Sequence, residues 1–192
     1  MNKKTLFLIC VCIALLINGA FAQNTFTWSL AVVKDNQGLP FETVDAKTVI
    51  PINYDESFHL EIFSERDCYT YIIVEMASGK ILPVLSRHVR AGFVQKTGSI
   101  RFKPPAGEEK FYIITSLEEQ TNLQRAIDDF ERNNSERNAE RLRTRLYNIR
   151  DPNEEDPGRP REHSSSIRGS DIQSAREFSG QSTYVRSITI IH

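Results

Sequence analysis

Two segments of this chain are apolar on both faces of an extended backbone, and that dictates what must surround them. In Cys68 to Glu75, the residues Cys68, Ile72 and Val74 share one face, while Tyr69, Tyr71 and Ile73 share the other. Phe111 to Ile114 is likewise apolar on both sides. Strands of this kind belong in the middle of a sheet with a layer packed on each surface. The chain must therefore supply a second β-layer and something further to cover the outside.

The second layer is legible upstream. Thr25 to Val33 places Phe26, Trp28, Leu30 and Val32 on one face, and Phe58, Leu60 and Ile62 do the same in the next clear strand, the period of two that marks half-buried β-structure. Asp35-Asn36-Gln37-Gly38 turns the chain between them, and a further extended stretch runs from about Phe41 to Ile52. Ala77-Ser78-Gly79 connects the first doubly apolar strand to Ile81–Leu85 as a hairpin. Pro104-Pro105-Ala106-Gly107 separates a strand at Ile100 to Phe102 from the one at Phe111. Short strands with turns between them predict a mainly β fold, an antiparallel β-sandwich of immunoglobulin-like character.

Helical spacing begins after Ser116, which with Glu119 has the form of a capping box. Leu123, Ile127 and Phe130 recur at i, i+4, i+7, and Leu142, Leu146 and Ile149 repeat that spacing across a polar stretch, which reads as two segments with a break near Asn134 or as one long helix. Residues 118–149 therefore read as a helical insertion whose apolar stripes cover the outer face of the doubly apolar strands. From Arg150 to Gly180 the chain is rich in Pro, Gly, Ser and charge, which predicts a disordered loop. Thr183 to Ile191 then turns β-rich again and is expected to return to the sheet.

The N-terminus bears on compartment. Asn2-Lys3-Lys4, the apolar run Leu6 to Ile17 and Ala20-Phe21-Ala22 form the three parts of a secretory signal, so residues 1–22 are expected to be removed after Ala22. That leaves 23–192 as a single exported domain, periplasmic or extracellular, with no transmembrane segment. Cys10 and Cys12 leave with the signal, so Cys68 is the one mature thiol and an internal disulfide is excluded. Of 24 basic residues, Lys3 and Lys4 leave too; the remaining 22 against 25 acidic residues give a net charge of −3, no basis for nucleic-acid binding.

The block SERDCYTYIIVEMASGKILPVL, then PPAGEEKFYIITS, with the ending YVRSITIIH, resembles the bacterial exported module known as domain of unknown function 4384. The residues that carry the likeness are Cys68, Tyr69, Tyr71, Gly79, Leu82, Pro83, Pro105, Gly107, Glu109, Phe111 and Ser116, within a span of roughly Ile50 to Ile127. The resemblance implies a β-sandwich-like module without catalytic residues.

Few residues offer chemistry. Cys68 is a nucleophile only if a histidine serves it, and neither His59 nor His88 has a catalytic sequence context. His59, His88, His163 and His192 are scattered singly with no metal-ligand spacing, so no metal and no cofactor is expected. Arg137, Arg141 and Arg145 fall at i, i+4, i+8 and form a ridge suited to carboxylate or phosphate, although Glu136 and Glu140 flank it as on an ordinary solvated helix. Tyr69 and Tyr71, with Tyr112 and Tyr184, form either an aromatic binding face or part of a core; the interleaved apolar residues favour core. The expectation is a non-catalytic exported module acting through a protein or envelope partner. The alternatives are a hydrolase-like enzyme using Cys68 and a purely structural envelope component.

Overall fold

The computed structural model describes residues 26–35, 42–44, 49–53, 55–149, 176–180 and 183–192. The expected export signal 1–22 with its cleavage site, the turn expected after Asp35 and residues 150–175 of the expected loop lie outside the described residues.

The strands form two sheets. In the first, β1 (Phe26–Asp35) pairs antiparallel with β4 (Ser57–Ser64). Beyond β1 lie β2 (Glu42–Val44) and β10 (Arg176–Gly180), and beyond β4 lie β7 (Val94–Lys96) and β8 (Ile100–Arg101). The second sheet runs in the order β3 (Val49–Pro51), β11 (Thr183–Ile191), β9 (Glu108–Ser116), β5 (Cys68–Glu75), β6 (Ile81–Val89). The doubly apolar strands β5 and β9 sit side by side inside it, as their two-faced burial requires.

Three details correct the sequence reading. The stretch Phe41 to Ile52 divides between sheets, β2 joining the first and β3 the second, because a sandwich strand that changes sheet must break its ladder. Pairing is antiparallel throughout the described ladders except β3 with β11, which is parallel. Arg176–Gly180, placed in the polar loop by composition, is strand β10, since backbone pairing with β1 from Phe26↔Gly180 to Leu30↔Arg176 needs no apolar periodicity.

The two sheets enclose one core. Trp28, Leu30 and Val32 of β1 and Phe58, Leu60 and Ile62 of β4 meet Cys68, Ile72 and Val74 of β5, Phe111 and Ile113 of β9, and Ile188 and Ile190 of β11. A second core lies on the outside of the second sheet, where Tyr71, Ile73, Tyr112 and Ile114 meet the helices α1 (Thr121–Arg132) and α2 (Glu136–Ile149) through Leu123, Ile127, Phe130, Leu142 and Leu146. The helical stripes cover the face that the strand pattern required to be covered.

The helix boundaries have local causes. Asn133 ends α1, its N–H bonded to the Asp129 carbonyl, and Ser135 starts α2 by accepting the Asn138 N–H on Oγ at 3.4 Å. The Asn138 side-chain amide donates to the carbonyls of Asp129 and Asn133, stitching the corner. Ser116 is not the cap of α1, which begins five residues later at Thr121. Its hydroxyl closes the end of β9, accepting from Glu118 N–H and from the Gln120 side chain. The N–H of Gln120, at the N-cap, is met instead by the Tyr71 hydroxyl at 3.0 Å.

Candidate functional site

Helix α2 sorts its arginines by face. Leu142 and Leu146 point to the sheet, and Arg143 is drawn in beside them toward the β5–β6 hairpin. Its Nε lies 3.4 Å from Glu75 Oε1, its Nη2 donates to the Gly79 carbonyl at 2.6 Å, and its Nη1 bonds Glu140. Partial burial alone would lower the Arg143 pKa, but the carboxylates of Glu140 and Glu75 outweigh it and hold the guanidinium above its usual range. Glu75 also receives the hydroxyls of Tyr112 and Tyr147, at 3.1 and 2.9 Å. It is the hub that fixes the orientation of α2 on the sheet.

Arg137, Arg141 and Arg145 occupy the outward face. All three are exposed, and with Glu140 and Thr144 they line an open groove of about 410 Å³. At four-residue intervals on a helix their stems stand about 6 Å apart. Arg141 Nη1 lies 3.2 Å from Asp129 Oδ2 of α1. Among the described residues Arg137 and Arg145 have no ion-pair partner. Beyond Arg145 a second open depression of about 450 Å³ continues past Asn148 and Ile149 to the start of α1 at Glu118–Asn122. Arg145 lines both depressions.

The tyrosines separate. Tyr71 is fully buried in the outer core, and burial pushes its hydroxyl pKa up, so it is not available as a surface binding residue. The cause is the helical layer, whose Leu123 and Ile127 stripe packs against that face. Tyr69 packs at the margin of the same core and meets His88 edge-on at 5.0 Å between ring centroids. The two do not form an aromatic platform with the arginines.

Cys68 is fully buried in the inner core, its Sγ 3.7 Å from Thr70 Oγ1, and burial pushes the thiol pKa up. A buried, protonated thiol is a poor nucleophile. A polar cluster that the sequence did not signal lies on the outer side of the first sheet. His59 Nδ1 meets Asp35 Oδ1 at 2.6 Å and its Nε2 meets Glu61 Oε1 at 2.9 Å. Lys96 Nζ reaches the same Glu61 oxygen at 2.6 Å, and Ser99 donates to Asp35 Oδ2. Both imidazole nitrogens are engaged by carboxylates within the cluster, so neither is turned to an open site where a substrate would lie. Alternation in β4 puts His59 and Glu61 on one face, but nothing in the sequence brings Asp35 to them. Among the described residues no group of three or more His, Cys, Asp and Glu side chains is arranged to hold a metal ion, and no helix is long and apolar enough to cross a membrane.

The residues that carry the family resemblance have structural tasks. Gly107 lies so close to the hairpin turn that a Cβ there would stand 2.9 Å from Ala77 Cβ. Glu109 accepts the Ala77 N–H at 3.0 Å and meets His192 Nε2 at 3.2 Å. Gly79 holds φ +79° in the turn, and Pro83 sits on β6, at the edge of its sheet, where the register shifts opposite Ile72 and Ile73. In comparisons with known proteins, no family model, no curated protein and no solved structure matches the chain.

Proposed function

We propose that this chain is an exported, non-catalytic β-sandwich module that binds an acidic protein partner at the cell envelope through the outward face of α2. One observation carries the reading: Arg137 and Arg145 stand exposed without ion-pair partners among the described residues, while Arg143, on the same helix, is fully engaged in docking that helix. Guanidinium groups held in a row on a firmly docked helix are a preorganised surface for carboxylates. The burial of Cys68 and the occupied nitrogens of His59 favour binding over hydrolysis. Export rests on the signal-like residues 1–22, and kinship with domain of unknown function 4384 on the quoted motif residues.

The test is affinity capture from native envelope extract with the mature protein and with R137Q/R141Q/R145Q. The wild type is expected to retain a partner that the triple variant releases, with recovery falling as salt screens contacts beyond about 8 Å at physiological ionic strength. Both proteins should melt at nearly the same temperature, because exposed charges contribute little to stability. Equal recovery by the two proteins at low salt would remove the ridge from the account.

A further inference from the structure

We infer that the surface bound by this ridge is an acidic helix whose carboxylates recur every fourth residue, an inference that rests on the binding role proposed for α2. Three properties of the site favour that occupant. The first is spacing. Guanidinium stems about 6 Å apart along one helix face match carboxylates repeating at i, i+4, i+8 on another helix, which have the same rise. The second is a precedent within the fold: Asp129 on α1 already reaches Arg141 on α2 at 3.2 Å, a helix-borne carboxylate meeting this ridge from the side.

The third is the setting of the ridge, which selects against a flat anionic surface. Glu136 and Glu140 flank the arginines on α2 itself, both exposed, so a plane of lipid headgroups laid on the ridge would meet carboxylates as well as guanidiniums. Of the large apolar residues exposed among the described residues, Val49, Phe93 and Ile191 lie on strands and a strand-connecting turn and not on α2. Tyr147, the one on α2, has its hydroxyl held by Glu75. Among the described residues the groove along the ridge is lined by Arg137, Glu140, Arg141, Thr144 and Arg145, with no large apolar side chain to add the second contribution that holds an amphipathic surface on a bilayer. A narrow row of carboxylates can interleave with the guanidiniums and leave the flanking glutamates in water.

The experiment uses the mature protein and two fluorescein-labelled, alanine-based helical peptides of identical composition. One carries glutamates at i, i+4 and i+8; the other has the same glutamates spread around the helix. Anisotropy at low salt is expected to show the in-register peptide binding several-fold more tightly, since each exposed pair is worth about a factor of two and Arg137 and Arg145, unpaired among the described residues, are free to form one each. The R137Q/R141Q/R145Q variant should bind the two peptides alike, at the weaker level. Equal affinity of the wild type for both peptides overturns the inference, as does tighter binding to phosphatidylglycerol vesicles than to the in-register peptide. If ridge-dependent capture from envelope extract persists while the peptides bind equally, the binding role stands and the helical partner falls. If capture is ridge-independent, both fall.

Discussion

Gly107 and Glu109 stand two residues apart and act on the same neighbour, the turn after β5, one by keeping out of its way and the other by bonding its backbone. A Cβ at Gly107 would stand closer to Ala77 Cβ than side chains tolerate, so the G107A variant must displace one of two backbone turns. Overpacking of this kind costs about 1–3 kcal/mol, which urea denaturation should read as a lowered midpoint at unchanged slope. The double variant G107A/A77G should recover most of that loss; no recovery would show that Gly107 serves a need other than space. Asp35 bears on acid stability. Partial burial would raise its pKa, but hydrogen bonds from Ser99 and His59 outweigh that and hold it below 3.8. A depressed carboxylate stabilises the fold fully above its unfolded value, and the contribution is lost as pH falls through the lower folded value. Glu56 adds to the same limb, lowered by the Asn53 N–H and by Lys34. Melting temperatures from pH 6 down to about pH 3 should fall less steeply for D35N than for the wild type, and parallel curves would show that the Asp35 bonds do not couple to folding. Iodoacetamide is expected to modify Cys68 only after unfolding, because its thiol is buried among Trp28-side core residues and its pKa is raised. Rapid native labelling would reopen the thiol as a reactive group.

The helical layer is held by a few identifiable contacts. Tyr71 joins sheet to helix twice over, its ring in the outer core and its hydroxyl accepting the Gln120 N–H at the start of α1. Tyr71→Phe keeps the ring and strands that N–H, a loss of about 1 kcal/mol. Leu146→Ala opens a cavity in the same layer and should cost about 2–5 kcal/mol. A Leu146→Ala protein as stable as wild type by urea denaturation would show that α2 is only lightly docked. That a layer of helices lies here could be read from the sequence, since β5 and β9 are apolar on two faces and two helical stripes of matching character follow. The polar residues around Asn134 suggested a break but left one long helix open; the caps at Ser135 and Asn138, which the folded corner supplies, decide for two. The start of α1 was not legible, since Ser116 and Glu119 mimic a cap whose real acceptor, Tyr71, lies forty-nine positions away in sequence. Strand β10 was hidden for a related reason: its ladder to β1 is made by backbone, and composition carries no trace of a backbone bond. Of the site, the outward direction of Arg137, Arg141 and Arg145 follows from helical spacing. The diversion of Arg143 depends on Glu75 and on the Gly79 carbonyl, which only the folded hairpin brings together.

On the scale of the whole molecule, β5 and β9 belong to both cores, while β11, the last described strand, is held by ladders to β3 and β9. It lies between β9 and β3, contributes Ile188 and Ile190 to the inner core, and packs Val185 against the outer one. His192, the residue after it, exchanges both backbone bonds with Gly107 and stacks on Phe102 at 4.2 Å between ring centroids. Deleting Thr183–His192 would thus open the edge of a central strand, leave the inner core short of two buried isoleucines and free Glu109 from His192. An unpaired apolar strand edge is a template for other chains, so the truncated protein is expected to aggregate or to lack a cooperative melt. Because truncation also shortens the chain, a full-length I188A/I190A variant gives the second measurement: two cavities in one core should lower stability by about 4 kcal/mol or more. Truncation that leaves the melting temperature unchanged, together with a stable double-alanine protein, would mean that β11 lies against the sandwich without belonging to it. The ridge on α2 should then still capture its partner, since the buried residues that meet Leu142 and Leu146 in the outer core come from β5, β6, β9 and α1, with β11 adding only the partly buried Val185 at the margin.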